Sequence, residues 1–226
     1  MSFNWDDLKY WNTGEWQVVQ ERLDDIEKAG NLFNPRREQL FAALDWTPFD
    51  KVKVVLYGQD PYPDRSMACG LAYSVPNGTI REGMAPPPTL DCIFNEYCND
   101  LHHTRPTRTD LSSWADKGVL LWNVIPSCAW QKSMSHDWVE WAPLTEEITR
   151  RLSDEGDKVF VFLGSVARRF ARYVDVEHNT VLLASHPSPR GNLNSSNPFR
   201  GSRIFSSIND KLCKVHHKDP IDWKLP

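Results

Sequence analysis

Four short apolar runs, each stopped by a turn residue, constrain the fold of this chain more than any other feature. Val54-Val55-Leu56-Tyr57 ends at Gly58-Gln59-Asp60, and Val119-Leu120-Leu121-Trp122 ends at Asn123. Val159-Phe160-Val161-Phe162-Leu163 runs into Gly164-Ser165, and Val181-Leu182-Leu183-Ala184 into Ser185-His186-Pro187-Ser188-Pro189. Runs that are apolar at every position, not at every second one, read as strands buried on both faces of a parallel sheet. The intervening segments carry helical spacing. They predict helices from Trp16 to Leu44, with Asn34-Pro35 opening a second one, then from Thr89 as N-cap through Leu101. Further helices are predicted over Trp138–Leu152, Ser165–Tyr173 and Arg203–Val215. The expected architecture is a single α/β domain over 1–226: a central parallel sheet of about four strands with helices on both faces. Residues 1–15 are expected to form a more loosely packed N-terminal segment.

Ligands of parallel sheets sit outside the carboxyl ends of the strands. Asp60, Asn123, Ser165 and His186 should therefore meet in one crevice although they lie far apart in sequence. A carboxylate at Asp60 can orient a water or face a developing cation, although most Asp-Pro pairs only cap a turn. His186, alone, would be a structural hydrogen-bonder; opposite a carboxylate it becomes a candidate catalyst. The amide of Asn123 offers both donors and an acceptor and can read the edge of a flat heterocycle. Tyr73 can stack on such a ring or pack in the core. Thr89, Ser165 and Ser188 sit in Pro- or Gly-bearing loops, which bring hydroxyls and backbone N–H groups to phosphates without net positive charge.

Charge is compatible with that picture and equally with a polar loop region that happens to lack acids. The net charge is −4, so non-specific coating of nucleic acid is not expected, yet no Asp or Glu occurs from His178 to Asn209, a stretch containing Arg190, Arg200 and Arg203. Five cysteines form no Cys-x-x-Cys pair, and Cys92, Cys98 and His102 are poorly spaced for a shared tetrahedral metal site. Neither a metal nor another cofactor is expected. No apolar run is long enough for a membrane span, and Met1–Asp7 lacks the character of a secretory signal, so an intracellular, reducing setting is the expectation. Gly-x-Ser-x-Gly, Walker and Rossmann patterns do not occur, which leaves acyl transfer, triphosphate hydrolysis and hydride transfer without support.

Taken in order, Gly58-Gln59-Asp60-Pro61-Tyr62, Gly70-Leu71-Ala72-Tyr73-Ser74-Val75, Pro86-Pro87-Pro88-Thr89-Leu90, Leu120-Leu121-Trp122-Asn123, Gly164-Ser165 and His186-Pro187-Ser188-Pro189 resemble the motifs of the metal-free uracil-DNA glycosylases. The resemblance covers most of the chain. It implies that uracil is flipped out of single- or double-stranded DNA and its N-glycosidic bond hydrolysed, leaving an abasic site. Asp60 and His186 would be catalytic; Gln59, Tyr62, Tyr73 and Asn123 would hold uracil. Pro87, Pro88, Thr89, Gly164, Ser165, Ser188, Pro189 and Arg190 would contact the DNA backbone or minor groove. The family's members generally act as monomers.

The chain departs from the family pattern in two loops. Pro63 stands where the family has His, and Arg190 stands where it inserts a Leu into the duplex. From Arg190 follow two expectations: a raised preference for single strands, and weakened binding of the DNA-mimicking inhibitor protein that encloses that Leu. Two competing readings are a glycosylase with other base specificity, opposed by Tyr62 and Asn123, and a catalytically weak DNA-binding subunit of a replication assembly, opposed by the retention of Asp60 and His186.

Overall fold

Side chains alternate between the two faces of each apolar run, and the computed structural model, which describes residues 3–81, 83–193 and 195–225, shows a different core on each face. In chain order the elements are α1 (Gly14–Lys28), β1 (Phe33–Asn34), α2 (Ala42–Trp46), β2 (Val54–Gly58), α3 (Pro88–Leu101), α4 (Ser112–Ala115), β3 (Val119–Asn123) and β4 (Cys128–Ala129). Then follow α5 (Ala142–Asp154), β5 (Val159–Leu163), α6 (Ser165–Arg168), β6 (Thr180–Ala184), α7 (Pro189–Leu193) and α8 (Ile204–Lys214). Four strands form a parallel sheet in the order β3-β2-β5-β6, as expected from the apolar runs.

Val54, Leu56, Val119, Leu121, Val159 and Val161 pack on one face against α3, α4 and α8. Val55, Tyr57, Leu120, Trp122, Phe160 and Phe162 pack on the other against α1, α2 and α5. Each strand therefore has no polar face, which explains its uninterrupted hydrophobicity. Gly58 pairs with Asn123 and Leu163 with Ala184, so the loops that follow all leave from one edge. The strand order reverses between β2 and β5. A crevice opens at such a reversal.

Three local expectations are corrected. Asn34-Pro35 does not open a helix. Asn34 ends the short strand β1, antiparallel to β4, and its Nδ2 donates to the Pro63 carbonyl at 2.7 Å. A residue before proline is pushed away from α geometry, and this one is used to bind another loop. Thr89 is not the cap of α3. Pro87 holds that position and Pro88 starts the helix, where a missing N–H costs nothing. The segment over 1–15 is not loose among its described residues. Trp5, Leu8 and Tyr10 are buried, Trp5 Nε1 donates to the Thr47 carbonyl at 2.9 Å, and the Lys9 and Tyr10 N–H groups donate to Glu147 at 2.9 Å. Its tryptophan and tyrosine rings supply enough apolar area to bind it to the body. No helix among the described residues is long and apolar enough to cross a membrane.

Candidate active site

A cavity of about 150 Å³ lies at the carboxyl edge of the sheet, lined by Gln59, Asp60, Tyr62, Tyr73, Thr89, Asn123 and His186 with a few neighbours. Asp60, Asn123 and His186 line it, each at or just after the end of a buried strand, whereas Ser165, expected in the same crevice, lies in a neighbouring groove. What the sequence does not show is how each is held.

Asp60 follows β2 by two residues. Its Oδ2 accepts from Ser133 Oγ at 2.8 Å and from the Met134 N–H at 2.6 Å; Oδ1 accepts from Gln59 Nε2 at 3.0 Å. A carboxylate offers about four lone-pair directions. Three protein donors fix the plane of the group and leave little freedom beyond one further acceptor direction. Ser133 and Met134 were not foreseen. They lie in an irregular loop after β4, and the only sequence signal for it is a polar stretch soon after Asn123.

Beneath Asp60, the Pro63 carbonyl accepts from both Asn34 Nδ2 and the Gln131 N–H, each at 2.7 Å. Pro63 thus ties the Asp60 loop to two other loops through its backbone. Cys128 Sγ lies 3.5 Å from the Pro61 carbonyl, and burial pushes its thiol up to about 12. It is a packed, protonated thiol, not a nucleophile.

Asn123 ends β3 and is only 7% exposed. A methyl group at Gly58, its partner across the ladder, would collide with Asn123 Oδ1 and crowd Ala72 and Tyr73. The glycine is what gives the amide its place. Tyr73 adopts φ 67°, unusual for a bulky residue, and its ring is anchored by a hydroxyl that donates to the Tyr57 carbonyl at 3.1 Å. Tyr62 Oη in turn donates to the Tyr73 carbonyl at 3.2 Å, and burial raises the pKa of both phenols, so both stay neutral donors. The two rings form stiff walls.

His186 follows β6. Gly164, at φ 95°, lies so close that an added methyl would stand 3.0 Å from His186 Cβ. Burial lowers the imidazole pKa, and the charge of Asp60 opposes this without reversing it. The ring is therefore neutral at neutral pH, with one N–H to donate.

Of the residues expected at the DNA backbone, only some line the cavity or the groove beside it. Thr89 reaches the cavity itself, while Gly164, Ser165 and Arg190 line an open groove that shares His186 with it. Ser188 Oγ accepts from the Gly191 N–H at 3.1 Å, which shapes the loop into α7, and Pro189 and Arg190 are exposed there. Pro87 and Pro88 begin α3. The groove also holds Arg168, which the sequence reading does not single out, and Leu193 stands 78% exposed at the end of α7. An isolated leucine in a polar stretch gives no pattern to read. Among the described residues, no three His, Cys, Asp or Glu side chains gather as a metal site would require, and all five cysteines are free thiols.

An edge cavity with a clamped carboxylate, a neutral imidazole and a buried amide suits hydrolysis at a flat heterocycle. The family model of the uracil DNA glycosylase superfamily matches residues 44–213, and the chain belongs to that superfamily. It is 40% identical to the uracil-DNA glycosylase of Agrobacterium fabrum over 93% of this chain and 84% of that protein. It is 37% identical to the uracil-DNA glycosylase of Lacticaseibacillus casei, over 94% of each chain. The crystal structure of mimivirus uracil-DNA glycosylase superposes with a TM-score of 0.84 at 25% identity, covering 96% of this chain and 86% of that one. A variant of the mimivirus enzyme in complex with UGI superposes at 0.86 and 26% identity, covering 97% and 87%.

Proposed function

We propose that this enzyme removes uracil from DNA by hydrolysing its N-glycosidic bond, with Asp60 and His186 as the catalytic residues. The observation that carries this assignment is the convergence of Asp60, Asn123, Tyr62 and His186 on one small cavity. Pockets for larger ligands enclose roughly 300–1,000 Å³, so this one suits a single base. A base stacked in DNA cannot reach it and must be swung out of the strand.

In the bound state Tyr73 stacks on the ring. The Asn123 amide accepts from the uracil ring N–H and donates to the adjacent carbonyl. Cytosine presents the opposite polarity at those atoms and would leave a buried amide unpaired, at a cost of about 1–3 kcal/mol per group. The Tyr62 ring, fixed by its bond to Tyr73, occupies the space a thymine methyl would need. Backbone groups of the Gln59-Asp60 turn complete the contacts.

Breaking the bond between the sugar carbon and the base nitrogen leaves its electron pair on uracil and a cation-like sugar. The neutral His186 N–H donates to the uracil oxygen that gains charge. Asp60 faces the sugar cation, and its remaining acceptor direction orients the water that adds to the sugar carbon. The three donors to Asp60 support this role, since they set the carboxylate before substrate arrives.

At the rim, Thr89, Ser165 and Ser188 with Pro87, Pro88, Pro189 and Gly164 carry the backbone, as does the Arg190 guanidinium, and Leu193 faces the duplex gap. The guanidinium at 190 favours single-stranded substrate and weakens binding of an inhibitor such as UGI, because burying an unpaired charge is costly. The enzyme is read as a monomer. The alternative of an inactive DNA-binding subunit is not favoured, since both reacting groups are present and held in position.

The test compares two labelled single strands that differ only by uracil or thymine, with wild type and Asp60→Asn. Cleavage after alkali only at uracil, reduced about 10²–10⁴-fold in kcat by the substitution, is expected. Retention of full activity by Asp60→Asn would remove Asp60 from the mechanism.

A further inference from the structure

We propose that Arg168 and Arg190 form a second anchor for DNA: a pair of guanidinium groups that holds a backbone phosphate of the strand carrying the flipped nucleotide, in the groove on the far side of His186 from the base cavity. The inference rests on the uracil-DNA reading and extends it to a residue, Arg168, that neither the motifs nor the catalytic cavity involve.

The groove has a volume of about 400 Å³, and Ser165, Arg168, Arg190 and Ser195–Asn197 are among the residues that line it. Both arginines are exposed, and among the described residues neither has a carboxylate within ion-pair distance. Arg105 and Arg203, by contrast, are paired with Asp91 and Asp100. The stretch from His178 to Asn209 supplies no acid that could neutralise the pair. A concave surface with two unmatched guanidiniums and several hydroxyls selects an anion, and the planar donor fork suits phosphate oxygens.

The anion is identified by connectivity. His186 lines both the cavity and the groove, so a nucleotide seated in the cavity must send one of its phosphodiester links past this wall. The groove is also braced before any ligand arrives. Asn197 Nδ2 donates to the Leu183 carbonyl at 2.6 Å, the Ser185 N–H donates to the Asn197 carbonyl at 2.9 Å, and the Phe199 N–H donates to Ser185 Oγ at 3.0 Å. These bonds fasten Asn197 and Phe199 to the end of β6. Arg168 sits one turn from the end of β5, on α6. The two strand ends thereby set the spacing of the walls, and a phosphate between them is gripped by groups from different elements.

The experiment uses single-stranded uracil oligonucleotides in which one linkage at a time, on either side of uracil, is a neutral methylphosphonate. Wild type, Arg168→Gln, Arg168→Lys and Arg190→Gln are compared for KM and kcat across salt concentrations, with anisotropy binding of the same uncleaved strands. For wild type, one particular neutral linkage raises KM several-fold. Arg168→Gln shows a similarly raised KM on the natural strand, is indifferent to that linkage, and has a log–log salt slope shallower by about 0.7. Arg168→Lys restores the slope. An unchanged KM and slope in Arg168→Gln, or sensitivity to every neutral linkage equal to that of wild type, would overturn the anchor. Failure of wild type to release uracil would instead strike the parent reading, and the anisotropy slopes would still decide whether Arg168 holds a phosphate.

Discussion

Gly58 contributes by having no side chain. The strand it ends is apolar up to that point, and a sequence reading takes the glycine simply as a stop. In the fold it faces Asn123 across the ladder, and its missing methyl is the space the amide occupies. Gly58→Ala should therefore displace Asn123 and destabilise the protein by about 1–3 kcal/mol through overpacking. Uracil release should fall further than stability explains, with discrimination against cytosine weakened; a thermal melt alongside uracil and cytosine cleavage assays checks this. Asp60, Asn123 and His186 were legible because each is tied to the end of a buried run. Ser133, Met134, Arg168 and Leu193 were not. Their importance comes from where irregular backbone or a short helix brings them in space, and neither periodicity nor a turn signature encodes that.

Among the elements, the loop from Cys128 to Trp138 shows how a non-repetitive segment is made stiff enough to hold a carboxylate. His136 is buried, stacks on Trp138 with ring centroids 4.2 Å apart, and its Nδ1 lies 2.9 Å from Ser127 Oγ. Two residues before it stands Met134, whose N–H grips Asp60. Burial drives the His136 imidazole down to about 4 from an ordinary value near 6.5. The unfolded chain therefore takes up a proton between those values that the folded chain refuses, so stability is full above about pH 6.5 and falls as pH is lowered toward 4. Melting temperatures between pH 4.5 and 7.5 should show this decline, and His136→Gln should flatten it while lowering stability at pH 7. A decline of equal steepness in the variant would assign it to other groups. The sheet and the main helices could be read from the sequence, whereas this loop, the Asn34-Pro35 turn and the start of α3 could not. In those places a proline or a distant hydrogen bond overrides the local pattern.

At the scale of the whole molecule, two cores share one sheet, and the working edge is where the strands stop. Arg190 and Leu193, one charged and one apolar, are both exposed on α7. Arg190→Leu should raise the rate on duplex relative to single-stranded uracil DNA and tighten UGI several-fold, as a titration of activity would reveal. Leu193→Ala should lower the duplex rate more than the single-strand rate. Identical rate ratios and inhibitor titres in all three proteins would remove α7 from both tasks.

The staggered origin of the site along the chain has a consequence for its birth. Asp60 follows the first long strand, Asn123 ends the next, and His186 comes only after the last. During synthesis the ribosome therefore releases the carboxylate long before the imidazole that lines the same cavity. A nascent or truncated chain that stops before β6 has no wall for the base and no partner for its anion. Activity should arrive late and all at once, so an interrupted chain is harmless to the DNA around it.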